Sequence, residues 1–190
     1  MARTLIGGVL AGIALFFVGF LFWGTPLSRL AYNGLEQLPA AAVQQSLAEH
    51  LTPSGTGTYV IPAAGTAEGD ILYARGPVAM IHFNVSGFPI VDSSALGIGF
   101  MLAIATGLLI ALALGSVADR VTDFMSRARL AVLFALVGTM YTELGQPIFN
   151  HFGWGYWVYL FLSDFIGLSI AGLIIARWFL PQVRTAGCAH

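Results

Sequence analysis

The chain has 190 residues, 57% of them hydrophobic and only 9% charged, with a mean hydropathy of +0.83. A soluble domain carries about 25% charged residues, so too few are present here to cover a solvated surface. The formal net charge of -1 excludes the basic footprint of a nucleic-acid-binding protein.

All eight basic residues are arginine, which with the abundant Ala and Gly fits a GC-rich bacterial genome. The single cysteine, Cys188, permits no internal disulfide, CxxC pair or c-type haem attachment. Thiol oxidoreductases of the four-helix membrane type and covalent cytochromes are thereby removed.

In chain order, the first apolar run covers residues 5–23 without a charge. About 20 apolar residues span the hydrocarbon core. A signal peptide would have a shorter apolar region and a small-x-small cleavage site. This run closes on Phe22, Trp23, Gly24, Thr25 and Pro26, an interfacial anchor, so a retained helix over residues 1–24 is expected.

Residues 25–94 follow as the only sizeable polar portion. Pro39 suits a first helical position, and Val43, Leu47 and Leu51 at four-residue spacing predict a short amphipathic helix. Residues 58–61 and 78–85 read as strands, the second with Ile81, Phe83 and Val85 on one face. Residues 63–70 between them read as a Gly/Ala-rich turn or loop. A helix and a two-stranded ribbon cannot form a self-sufficient core, so this segment is expected to rest on the helix ends or on another protein.

Three more spans are predicted, at 95–115, 130–150 and 154–180, with a linker over 116–129 and a tail over 181–190. Asp123 and Arg127 are four apart in that linker and could pair on a helical extension, although a solvated linker is the simpler expectation. Only His151, Phe152 and Gly153 separate the last two spans, which makes them a tight antiparallel hairpin. The expected fold is an all-α membrane protein of four transmembrane helices, with a small α+β exoplasmic insertion between helices 1 and 2. Arg3, Arg120, Arg127, Arg129, Arg177 and Arg184 share one side, against Arg29 and Arg75 on the other. The positive-inside rule then places both termini in the cytoplasm of a bacterium and residues 25–94 in the periplasm.

Two patterns inside the spans carry information. Ala95, Gly99, Ala103, Gly107, Ala111 and Gly115 recur at every fourth position, and Gly8 and Gly12 do the same in the first span. Small residues let helix backbones approach closely in lipid; the neighbour is either in this chain or in another protein. The second pattern is Glu143 and Asp164, ten residues before and eleven after Gly153. Both therefore lie roughly 15 Å below the hairpin end, near the bilayer centre. Thr139, Glu143, Gln146 and Asn150 form one polar stripe, and Pro147 frees a carbonyl of that helix.

An ionised carboxylate at that depth is costly, so at least one of the two is expected to be protonated. The functional options are a proton relay, a polar pocket for a quinone or lipid head group, or a cation site. The structural alternative is a neutral acid bonded to Thr139, Gln146 or the freed carbonyl.

His50, His82, His151 and His190 all fall outside the spans, so no b-type haem is expected, and their spacing resembles no zinc site. No cofactor is predicted, with contact to lipid, quinone or pigment left open. Phe149, Phe152, Trp154, Tyr156, Trp157 and Tyr159 form an interfacial aromatic belt.

The stretches FVGFLFWGTPL, GTGTYVIP and RGPVAMIHF resemble a group of uncharacterised bacterial four-helix membrane proteins, in which a Trp-Gly pair ends the first helix and a Gly-x-Tyr-x-x-Pro strand follows. The resemblance covers roughly the first 85 residues and implies a topology without an activity. The layout is also similar to that of claudin-like proteins, whose outer-loop cysteine pair is absent here.

No phosphate loop, nucleophile elbow or HExxH motif is present, so a non-enzyme is the leading expectation, with a membrane enzyme acting on lipid at the outer interface, His82 or His151 as its base, left open as a third class. The leading expectation is an accessory or scaffolding subunit of a larger membrane complex, respiratory or photosynthetic. Its partners would be other membrane subunits and lipids. The alternative is a small carrier or proton-coupled membrane protein using Glu143 and Asp164.

Overall fold

The computed structural model describes residues 2–181; the predicted tail with Arg184, Cys188 and His190 lies outside them. Six α-helices and two strands run in the order α1 (Ala2–Trp23), α2 (Gln37–Leu51), β1 (Gly57–Ile61), α3 (Ala67–Arg75), β2 (Ala79–Phe83), α4 (Ser93–Ser116), α5 (Phe124–Asn150) and α6 (Trp154–Trp178). Helices α1, α4, α5 and α6 are each long and apolar enough to cross a membrane. The described residues form two compact units, one from residues 2–33 and 93–181 and the other from Gly34–Asp92.

In the helical unit, α6 packs on both α5 and α1, and α1 packs on α4. The α1–α4 contact follows directly from side-chain size. A Cβ added to Gly107 would sit 2.2 Å from the Gly8 carbonyl oxygen and 2.5 Å from the Gly12 nitrogen. One added to Gly12 would sit 2.6 Å from the Ala103 carbonyl oxygen. Only residues without a bulky side chain let these backbones touch, and in lipid such contact is the main attraction between helices. Ala11, Ala111, Leu114, Ala118, Ala171, Ile175 and Leu180 form the buried core beside it. Outward-facing residues such as Phe17, Leu102 and Phe134 remain exposed, as suits a surface turned to acyl chains.

Helix α5 begins at Phe124, six residues before the start its charges suggested. Asp123 caps it, its Oδ1 accepting the Ser126 N–H at 2.9 Å, and Arg127 is buried rather than solvated. Asp123 and Arg127 each bond to backbone instead of to one another. The three-residue hairpin ends α5 at His151, whose φ of 55° places it in the left-handed region.

In the second unit, β1 and β2 pair antiparallel from Gly57↔Phe83 to Ile61↔Ala79. Tyr59 and Phe83 meet edge-on at 6.4 Å, and Thr58 and His82 bond across the strands at 3.0 Å. The expected loop at 63–70 is instead the approach to α3. Thr66 extends to cap it, accepting the Gly69 N–H at 3.0 Å. Along α2, the stripe of Val43, Leu47 and Leu51 is buried only at Leu51.

Candidate functional site

The two ends of the helical unit hold different chemistry. At the end where α4 and α6 finish, arginines bind backbone carbonyls at and just beyond the helix ends. Arg127 is 2% exposed and donates to Val121 at 2.6 Å, Ala118 at 3.0 Å and Pro181 at 2.7 Å. Arg3 donates through Nε and Nη2 to the Trp178 carbonyl at 3.1 and 2.5 Å. Arg177 lies 5.5 Å from the centre of the Phe124 ring. The last carbonyls of a helix lack intrahelical donors and carry partial negative charge, which Arg3 meets at Trp178, while the five N–H donors of Arg127 satisfy turn carbonyls without a carboxylate partner.

At the opposite end, an aromatic cluster joins α1 to α6. Trp23 Nε1 donates to Ser163 Oγ at 3.0 Å, and the Tyr159 hydroxyl donates to the Phe22 carbonyl at 2.6 Å. The Trp23 ring lies 5.1 Å from Tyr159, 6.0 Å from Tyr156 and 6.3 Å from Tyr32; Tyr32 and Tyr156 are 5.7 Å apart.

Directly below that cluster the two intramembrane acids meet. Glu143 on α5 and Asp164 on α6 lie close enough for their carboxyl groups to interact, and Ser163 adjoins Asp164 on α6. Glu143 is 9% exposed, and its Oε2 has no donor from the protein.

The rest of the predicted polar stripe turns back on its own helix. Thr139 donates to the Ala135 carbonyl at 2.9 Å, Gln146 to the Thr142 carbonyl at 3.4 Å, and Asn150 Nδ2 to Gln146 Oε1 at 2.9 Å. Pro147 leaves the Glu143 carbonyl without its usual i+4 donor. Neither Thr139 nor Gln146 directs its donor to the acid, so the structure brings together Glu143 and Asp164 and leaves the other three at the side.

The small-residue stripe is divided. Gly8, Gly12, Ala103, Gly107 and Ala111 form the α1–α4 contact, and Gly115 sits 3.4 Å from Thr4 by its added Cβ. Gly99 faces open space, and Ala95 is exposed. Among the described residues, no group of three His, Cys, Asp or Glu side chains is placed to hold a metal ion.

Towards the arginine end, α4, α5 and α6 border an apolar cavity of about 320 Å³ lined by residues such as Leu109, Leu114, Ala131, Phe134, Ala135 and Gly172. No polar side chain lines it. Reading the sequence for charge alone missed the roles of Arg127, Trp23 and Ser163. The signal for Arg127 was its place on the stripe of Ala131, Ala135, Thr139, Glu143 and Pro147, which repeats every fourth residue.

No known protein-family model, no curated protein and no solved structure matches this chain.

Proposed function

We propose that the protein is an accessory or scaffolding subunit of a larger bacterial membrane complex, respiratory or photosynthetic, and that a partner subunit covers residues 34–92. One observation carries this reading: in that unit Leu51 is the only hydrophobic side chain that is buried. Leu38, Phe88, Ile90 and Val91 are all at least 71% exposed. A segment of about 60 residues is marginal even with a full core, and contiguous exposed apolar surface marks an interaction site. The arginine distribution supports a position in the cytoplasmic membrane with residues 25–94 in the periplasm and the arginine end in the cytoplasm.

Cross-linking in native membranes, followed by purification in mild detergent, tests it. The expected result is a stoichiometric partner whose cross-links map within residues 34–92. Removal of that segment should abolish the partner and leave a folded helical unit. A chain that purifies alone, with slowly exchanging amides across residues 34–92, refutes the proposal.

The meeting of Glu143 and Asp164 favours a second reading, a small proton-coupled carrier. Glu143→Gln and Asp164→Asn separate the two: a carrier loses transport while staying folded, whereas a subunit keeps its partner.

A further inference from the structure

We infer that the partner covering residues 34–92 is a different polypeptide with a basic surface, whose lysines and arginines meet Glu36, Glu49 and Glu68. The inference rests on the subunit reading above and names the chemistry of the partner.

Charge is divided unevenly along the chain. Residues 34–92 hold Glu36, Glu49, Glu68, Asp70 and Asp92 against Arg75 alone, a formal charge of -4 in a chain whose total is -1. The remaining residues therefore carry +3. Asp70 is engaged locally, its Oδ1 accepting the Gly65 N–H at 2.8 Å. Glu36, Glu49 and Glu68 are exposed, and among the described residues their carboxylates make neither an ion pair nor a hydrogen bond. Arg75 makes no ion pair there either.

These acids are set among the apolar side chains that need cover. Glu36 lies between Leu35 and Leu38, both largely exposed. On α3, Glu68 precedes the exposed Ile71 by three residues and so shares its face. A partner that covers Leu35, Leu38 and Ile71 also takes water from the carboxylates beside them. A charge moved out of water without a counter-charge is costly. Cover of this surface therefore requires cations at its rim, where the polar groups of an interface gather.

The same charges decide against two other occupants. A second copy would set one acidic unit against another, and like charges across an interface repel. A bilayer surface of anionic lipid would repel this unit for the same reason. Only a basic protein surface answers both the exposed apolar side chains and the unpaired acids.

Whole protein in its native membranes provides the test. A water-soluble carbodiimide activates a carboxylate, and a neighbouring lysine amine then displaces the urea and leaves an amide. All eight basic residues of this chain are arginine, so a lysine amide at Glu36, Glu49 or Glu68 identifies another polypeptide. Peptide mapping should find such links to one partner, on a stretch rich in lysine and arginine. In mild detergent, recovery of that partner should fall as salt is raised from about 0.1 M to about 1 M, over which the screening length shrinks from about 10 Å to about 3 Å. Glu36→Gln, Glu49→Gln and Glu68→Gln combined should slow association about tenfold at low salt and flatten its salt dependence. The three carboxylates make no bond that folding would lose, so this variant should keep the wild-type melting temperature. Where the partner's cations are all arginine, the salt and variant measurements decide alone.

A stoichiometric partner whose recovery ignores both salt and the triple variant would overturn the inference and leave the subunit reading standing. Differently tagged copies that cross-link to each other within residues 34–92 would overturn it, as would photo-cross-links from that segment that run to lipid alone. Absence of any partner would defeat the subunit reading and this inference together.

Discussion

Backbones meet in the helical unit, where Gly107 leaves no room for a single added carbon against Gly8 and Gly12. In residues 34–92 the reverse holds, and Ile90, Leu38 and Val91 stand fully or largely open. The helical unit holds its own contacts at Gly8, Gly12 and Gly107, in the Trp23–Tyr159 cluster and at the Arg3 and Arg127 bonds. The second unit has local order, with a cap at Thr66 and a paired ribbon, but little that could hold it against unfolding. Local hydrogen bonding and self-sufficiency are separate properties, and only the first is present there.

The largest expected effect comes from breaking the complete half. Gly107→Leu should cost more than about 3 kcal/mol, beyond ordinary overpacking, because it meets backbone rather than a movable side chain. Size-exclusion chromatography should show loss of monodisperse protein. Gly138→Ala, placed where nothing lies within 4 Å, should leave the melting temperature level or slightly raised. A tolerated leucine at 107 would remove the α1–α4 contact as the centre of the fold.

Arg127→Met comes next, at about 1–3 kcal/mol for leaving buried acceptors unpaired, measured by thermal unfolding in detergent. Arg127→Lys should not restore the loss, since a single ammonium cannot reproduce the guanidinium fork.

Leu51→Ala sharpens the contrast from the other side. In a true core the change would cost about 2–5 kcal/mol. Here the melting temperature of the helical unit should not move, and the isolated protein should lose within about 0.5 kcal/mol. A large drop would show that residues 34–92 have a core of their own.

The smallest effect concerns acid. The Ser126 N–H bond to Asp123 holds that carboxyl below its ordinary value of 3.8. A depressed folded value means that the cap contributes fully above about 3.8 and is lost as pH falls through the lower folded value. Asp123→Asn, which still caps, should flatten the acid limb of a stability–pH curve and leave its neutral plateau unchanged.

The four long helices were legible because length and uninterrupted apolarity suffice to define a span, and the hairpin at His151–Gly153 because three residues allow no other connection. Reading failed where a charge was taken as a boundary. Arg127 looked like linker because its stripe with Ala131 and Ala135 marks a helix face and not the partners on it, the carbonyls of Ala118, Val121 and Pro181. Helix α3 was hidden for a different reason: its Gly/Ala composition reads as loop, and its start is set by one threonine side chain.

At the candidate site, matched depth anticipated that Glu143 and Asp164 share a level. Their contact and the attachment of Ser163 to Trp23 needed helix rotation, which hydropathy leaves undetermined. The stripe pattern also overreached, since Thr139, Gln146 and Asn150 share a face with Glu143 yet bond within α5.

The bond from Arg3 to the Trp178 carbonyl ties α1 to α6, the earliest and latest of the long helices to leave the ribosome. Until α6 has been synthesised, the Arg3 guanidinium has no Trp178 carbonyl to bind and α1 lacks one of its two flanking neighbours. Insertion and completion are thus separate events in time, and a chain truncated ahead of α6 would present the membrane's proteases with an unlatched first helix.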